Sequence, residues 1–189
     1  MRSLFLLFCL AASSTGLFTA RAESLSSDRL LIEGIIRRLE LSREVAWSKA
    51  AAGLRVADAA REAQVLAAMK AEGRRLGLAE GESDRFLLPQ IAASRRLQEE
   101  LVSGWRKGFP VPREAPKDLA GEIRPKLDAL NRGLLLAWSR IPDKTFGTLY
   151  RAEAEELIRE RGFSADIARL AARPLDRAPV RTAPPRSSF

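Results

Sequence analysis

The chain has 189 residues, of which 46% are hydrophobic and 30% are charged, and its formal net charge is +8. It contains no histidine, and its single cysteine, Cys9, lies near the amino terminus. This inventory excludes a histidine general base, and beyond Cys9 it leaves no thiol nucleophile and no usual zinc or copper site. The length suits one domain, or two small halves, with a real hydrophobic core.

Residues 1–22 have the pattern of a secretory signal peptide. A short positive end is followed by an apolar run from Leu4 to Ala12, and Ala20 and Ala22 form a small-x-small cleavage site. The run is too short to span a bilayer. We therefore predict export to the periplasm or the medium after cleavage near Ala22, with no membrane attachment afterwards.

The positive charge does not by itself indicate a polyanion partner. Cleavage would remove two arginines and no acid, so the formal charge would fall from +8 to +6. Few aromatic residues and no RNA-binding signature accompany this charge, and export leads away from nucleic acid. We interpret the excess as a solvated basic surface and predict no nucleic-acid partner.

Helical periodicity dominates the remaining chain and predicts an all-α fold. We expect a core of three helices in residues 23–107: Ser27 or Asp28 to about Ala52, Asp58 to Leu76, and Ser83 or Asp84 to Trp105. Gly53 and Gly77 are expected to end the first two helices.

A smaller helical half is expected after this core. Residues 108–117 contain three prolines and are typical of a linker. The sequence pattern of residues 118–170 then predicts three helices, over Leu119–Ser139, Thr145–Arg161 and Ser164–Leu170. Residues 171–189 are rich in proline and arginine and predict a disordered tail.

The first helix carries cations on the face that should be apolar. Its inward positions follow spacings of four and three residues: Leu31, Ile35, Arg38, Ser42, Val45 and Lys49. Arg38 and Lys49 are eleven residues apart, so they share a face at a separation of about 16 Å. Because a buried charge is costly unless it is paired, an anion is expected to meet them.

Two further helices direct polar groups into the same region. Asp58, Arg61 and Glu62 open the second helix, where backbone N–H groups also favour an anion. On the third helix, Ser94 and Gln98 continue the row of Leu87 and Ile91. Packed together, the three helices would enclose a pocket suited to a small dianion.

This pattern resembles the all-helical chorismate mutases, and in particular their exported subclass. The family pattern has an Arg on the first helix, a Lys three turns later, Asp-x-x-Arg-Glu opening the second helix, and Ser-x-x-x-Gln or Glu on the third. Seven positions of this sequence match it in register: Arg38, Lys49, Asp58, Arg61, Glu62, Ser94 and Gln98. The match covers about Leu30 to Trp105.

The resemblance implies a cofactor-free isomerase that converts chorismate to prephenate. Arg38 and Arg61 would each bind a substrate carboxylate and fold the substrate into its compact diaxial shape. Lys49 and Gln98 would donate to the ether oxygen, where negative charge grows as the bond breaks. The reaction needs no metal, covalent intermediate or proton transfer.

Other roles follow from the same resemblance. Glu62, with the Asp58 backbone, would fix the ring hydroxyl, and Ser94 would assist a carboxylate. A homodimer is expected by analogy. Intracellular members complete the site with an Arg from a swapped subunit, whereas the exported subclass uses an Arg of its own C-terminal half. Arg132 is the candidate, with Arg140 or Arg124 as alternatives.

Two other functions fit the same residues. An isochorismate-pyruvate lyase uses a similar fold and a similar cationic pocket, although the complete set with Glu62 favours the mutase. A non-catalytic exported helical protein that binds a small anion or a partner in the cell envelope is the alternative from another class.

Overall fold

The computed structural model describes residues 14–141 and 148–175, and within these ranges the side chains of residues 29–141 and 150–175. The described residues form no strand, which confirms the all-α prediction. Six α-helices follow in chain order: α1 Ser14–Ala51, α2 Ala59–Arg75, α3 Glu82–Arg106, α4 Arg124–Ser139, α5 Thr148–Glu160 and α6 Ala165–Ala172. A π-helical turn, Leu119–Ile123, leads into α4, and a 3₁₀ turn, Arg173–Leu175, follows α6.

The ends of α2 have the predicted chemistry. The Asp58 side chain accepts a hydrogen bond from the backbone N–H of Arg61, which satisfies one of the free donors of the first turn. Gly77, just after the helix, has φ of 73°, a conformation that glycine adopts without steric cost. Gly53, after α1, has φ of 67° in the same way.

The first helix is longer than the sequence pattern indicates. It begins at Ser14, well before the predicted start at Ser27 or Asp28. A capping residue favours a helix start only where the preceding chain leaves the helix, and no proline interrupts residues 14–27. Cleavage near Ala22 stays a prediction. No helix among the described residues combines the length and the apolar character needed to cross a membrane.

Helix α3 is central in the packing. It lies against α1, α2 and α6, and α4 closes the fourth side of a space bounded by α1, α2 and α3. Phe86 of α3 contacts Trp138 of α4 with ring centroids 5.1 Å apart, and both side chains are fully buried. Gly34 of α1 permits the close approach of α4, since a Cβ there would lie 2.6 Å from the Leu134 side chain.

The C-terminal half is attached to the core by polar as well as apolar contacts. The irregular segment before α4, which includes the predicted linker, runs along α1, where the Trp47 indole N–H donates to the Glu114 carbonyl (3.0 Å). At the other end, the Gln90 side chain of α3 donates to the Ala171 carbonyl (2.6 Å). Gln90 is fully buried.

The structure differs from the predicted tail at its start. Ala171, Ala172, Pro174 and Leu175 are buried, so the ordered chain extends beyond residue 170. Their small or apolar side chains pack on α3 and α5. The prediction of a disordered tail was based on the local excess of proline and arginine, which does not indicate this packing. Residues 176–189 lie outside the described residues, as does the predicted start of the fifth helix at Thr145.

Candidate active site

A cavity of about 100 Å³ lies between α1, α2, α3 and α4. Seven of the eight predicted site residues line it: Arg38, Lys49, Asp58, Arg61, Glu62, Ser94 and Gln98. Arg132 does not. Val45 and Ile91, two apolar members of the helix stripes, complete parts of the wall. The helical spacing of polar residues thus brings side chains from three helices to one enclosed space.

The stripe of α1 is buried as its periodicity predicts. Arg38 is 6% exposed and Lys49 is 7% exposed, although both carry a charge. Leu31 and Ile35, earlier in the same stripe, are fully buried in the hydrophobic core. The stripe therefore passes from apolar core to cavity wall along a single helix face.

Arg38 is held by neutral groups. Its guanidinium donates to Asn131 Oδ1 (2.9 Å), to the Gln90 carbonyl (2.6 Å) and to the Ser94 hydroxyl. Ser42 connects to the same cluster by donating to Ser94 Oγ (2.9 Å). No carboxylate among the described residues pairs with Arg38, and burial lowers the pKa of Arg38 to about 10. At neutral pH it remains a buried, uncompensated cation.

Lys49 is a second buried cation that has no direct carboxylate partner among the described residues. Its ammonium donates to the Val56 carbonyl (2.5 Å), which belongs to the loop between α1 and α2. Burial is the main cause that lowers the pKa of Lys49; among nearby charges Asp58 and Glu62 act to raise it, whereas Arg124 and Arg95 act to lower it.

The remaining cations of the cavity form ion pairs between helices. Arg61 of α2 pairs with Asp128 of α4 (2.5 Å), and Arg124 of α4 pairs with Asp58 (2.9 Å). Arg95 of α3 pairs with Glu62 of α2. In total the lining has five cationic side chains against three carboxylates, a formal balance of +2. A small dianion would neutralise it.

Gln98 brings an amide of α3 to the cavity wall. The residue is 8% exposed, and its Oε1 is buried without a hydrogen-bond partner among the described groups. A buried polar atom without a partner is costly in a native structure. Unlike a carboxyl group, a carboxamide donates hydrogen bonds at every pH.

The arginine of the C-terminal half that lines the cavity is Arg124, one of the two alternatives to Arg132. Arg132 and Arg140 are exposed. The reason is helical geometry: Arg132 follows Asn131 by one residue, or about 100° around α4, and so leaves the face that meets the cavity.

Several cavity residues were not predicted from the sequence: Val56, Val65, Arg95, Leu119, Leu127, Asp128 and Asn131. The position of Asn131 in the cavity could have been predicted from the sequence. Asn131 lies four residues after Leu127 and three before Leu134, within the apolar stripe of α4. Arg95 has the same kind of spacing, four residues after Ile91 and three before Gln98. Its partner Glu62 belongs to another helix, so the spacing along α3 does not predict that ion pair.

The chemistry available to this cavity is electrostatic. It offers guanidinium, ammonium, hydroxyl and amide donors, but no thiol and no imidazole. Within the described ranges, no group of three or more His, Cys, Asp or Glu side chains could hold a metal ion. Fixed donors in a largely buried space can orient an anionic ligand and stabilise charge that develops on it.

Comparisons with known proteins place this chain beside proteins of one family and fold. Residues 20–99 match the sequence family described as Chorismate mutase type II. The structure resembles that of chorismate mutase from Burkholderia thailandensis, with a TM-score of 0.69 and 27% identity, covering 78% of this chain and 96% of that one. Chorismate mutase from Burkholderia phymatum gives 0.66 and 28%, covering 77% of this chain and 90% of that one.

A third structure supports the fold alone. The secreted chorismate mutase from Yersinia pestis has a TM-score of 0.67 at 22% identity, covering 77% of this chain and 94% of that one. A search of curated protein sequences gave no significant match. All three structural likenesses extend beyond the residues of the family match, so they include the C-terminal half.

Proposed function

Because this chain belongs to the all-helical chorismate mutases, we propose that its cavity binds chorismate and that the protein is an isomerase forming prephenate. The observation that carries this proposal is the unpaired, buried guanidinium of Arg38 in a cavity with a formal charge of +2. Chorismate has two carboxylates, so it supplies the charge that the cavity lacks.

The two carboxylates would be bound at different places. Arg38, with Ser94 beside it, binds one of them in the most buried part of the cavity. Arg61 and Arg124 line the part of the cavity formed by α2 and the start of α4, and each can give a charge-assisted hydrogen bond to the second carboxylate. Holding both carboxylates in place favours the compact diaxial substrate and contributes to the rate by orientation.

Two donors would act on the ether oxygen. Lys49 and Gln98 project from α1 and α3 into the same cavity. As the carbon–oxygen bond breaks, negative charge grows on this oxygen, and donors already in position stabilise it without reorganising. Glu62 and the Asp58 backbone would fix the ring hydroxyl. The rearrangement needs no proton transfer.

Export and assembly belong to the same proposal. The charge and apolar pattern of residues 1–22 supports a cleaved signal peptide and a site of action outside the cytoplasm. We further propose that Arg124 completes the site from the protein's own C-terminal half. A homodimer therefore need not exchange active-site residues between subunits.

The test is an assay of the purified protein with chorismate and, separately, with isochorismate. Loss of chorismate ultraviolet absorbance with formation of prephenate is expected. Lys49→Ala should lower kcat by about 10²–10³, the usual cost of removing one such donor. Lys126→Ala is the matched control, because Lys126 is exposed on α4 and pairs with Glu122. Pyruvate release from isochorismate without prephenate formation would overturn the proposal.

A further inference from the structure

Two carboxylates lie near Lys49, and an arginine holds each of them. Asp58 is bound by Arg124 from α4, and Glu62 is bound by Arg95 from α3. Lys49, Asp58 and Glu62 line the same cavity, and both acids act to raise the pKa of Lys49. Within the described chain, the ammonium instead donates to the neutral Val56 carbonyl.

The absence of a Lys49–carboxylate contact has a chemical consequence. An ammonium that is paired with a carboxylate is a poorer donor to a ligand, since the ligand must first displace a charged partner. Glu62 has a largely buried side chain, 26% exposed, on the α2 wall that faces Lys49. Without a competing cation, it would be drawn toward Lys49.

We infer that Arg95 is a positioning residue: it holds the Glu62 carboxylate away from Lys49 and so keeps the ammonium free for the substrate's ether oxygen. The inference rests on the proposed function. Arg95 is not one of the seven positions that match the family pattern. Its guanidinium contacts Glu62 rather than the groups that hold Arg38.

The first test is a double-mutant cycle. Arg95→Met should lower kcat/KM for chorismate by about tenfold, mainly through kcat, because Glu62 then engages Lys49. In a Glu62→Gln background the same change should cost less than about threefold, since the competing carboxylate is gone. Arg95→Lys keeps a cation for Glu62 and should recover most of the loss.

Arg96→Met is the matched control. Arg96 follows Arg95 directly, is similarly exposed, and pairs with Glu100 outside the cavity. It should leave kcat and KM unchanged. Equal Arg95→Met effects with and without the Glu62 carboxylate would overturn the inference.

A second measurement does not depend on activity. The chain has six lysines, so the Lys49 signal can be assigned in a ¹³C-lysine NMR spectrum by its loss in Lys49→Met. The charged groups around Lys49 are Asp58 and Glu62 from the α2 side, Arg95 from α3 and Arg124 from α4. Arg95→Met should raise the Lys49 pKa, and adding Glu62→Gln should lower it again.

The two proposals fail in different ways. An unchanged Lys49 pKa in Arg95→Met, in a protein that converts chorismate, overturns the role of Arg95 alone. A wild-type protein that does not convert chorismate overturns the proposed function, and the role of Arg95 in that reaction falls with it.

Discussion

The two ends of the cavity differ in the groups that surround their buried cations. At the inner end, formed by Arg38, Ser42, Ser94 and Asn131, one cation is surrounded by neutral donors and acceptors. At the outer end, formed by Asp58, Arg61, Glu62, Arg95, Arg124 and Asp128, every cation has a carboxylate partner. The cations without a carboxylate partner among the described residues are Arg38 at the inner end and Lys49, which lies in neither group.

This difference indicates how the free energy of substrate binding is divided between the two ends of the cavity. In the proposed complex, a substrate carboxylate at the inner end would gain a new ion pair in a desolvated place, where such a contact is strong. At the outer end, a carboxylate must share or replace an existing partner, so its net gain is smaller. Substitutions at the inner end should therefore have larger effects than those at the outer end.

Arg38→Met is the strongest test of this asymmetry. Removing the buried cation leaves a substrate carboxylate without a partner, and kcat/KM should fall by about 10³. Arg37→Met is the control, because Arg37 is the preceding residue, is exposed and pairs with Glu40. Steady-state kinetics, together with the melting temperature, separates this effect from unfolding. A loss smaller than that of Arg61→Met would reverse the comparison.

Gln98→Glu adds a titratable group to the proposed ether-oxygen site. A carboxyl group donates only while protonated, so activity should fall as pH rises through the pKa of the new side chain. At pH 8 kcat should be about 10² lower than in the wild type, with a much smaller difference at pH 5. The wild-type kcat, at saturating substrate, should stay nearly flat from mildly acidic to mildly basic pH. A steep wild-type decline above neutrality would refute this role of Gln98.

Arg124→Met tests the outer end and the contribution of the C-terminal half. It should raise KM for chorismate by about tenfold, less than the inner-end effect, because Arg61 remains to bind the same carboxylate. Arg132→Met serves as its control on the same helix, since Arg132 is exposed and lies outside the cavity. A larger effect from Arg132 than from Arg124 would mean that the wrong arginine has been assigned.

The smallest expected effect is that of Asp128→Asn. This change removes the carboxylate partner of Arg61 while keeping a hydrogen-bond acceptor of similar shape. Because Arg61 would no longer be shared, KM for chorismate should fall by about twofold to threefold. Isothermal titration with a bicyclic transition-state analogue would show the same direction. Weaker binding would show that Asp128 orients Arg61 rather than competing for it.

The sequence predicts the helical core and most of the cavity because both follow from spacing along single helices. Arg38 and Lys49 share a face by the geometry of α1 alone, and Asp58 caps α2 by local chemistry. Such features need no knowledge of how helices pack. The three-helix core and the helical C-terminal half can therefore be predicted from the sequence alone.

Features that depend on the register between helices were not predictable in this way. The Arg95–Glu62 and Arg61–Asp128 pairs join different helices, and no spacing within one helix specifies them. The choice of Arg124 over Arg132 depends on the rotation of α4 about its axis, which packing against α1 fixes. The same holds for the buried residues that end at Leu175, whose partners are on distant helices.

Gln90 links the C-terminal half of the chain to Arg38. Its main-chain oxygen holds the guanidinium of Arg38, and its side-chain amide holds the end of α6 through Ala171. A fragment that stopped before α6 would therefore lose a contact that fixes Gln90, the residue whose carbonyl binds Arg38. Helix α6 therefore contributes to the position of the Arg38 guanidinium as well as to the packing of the core.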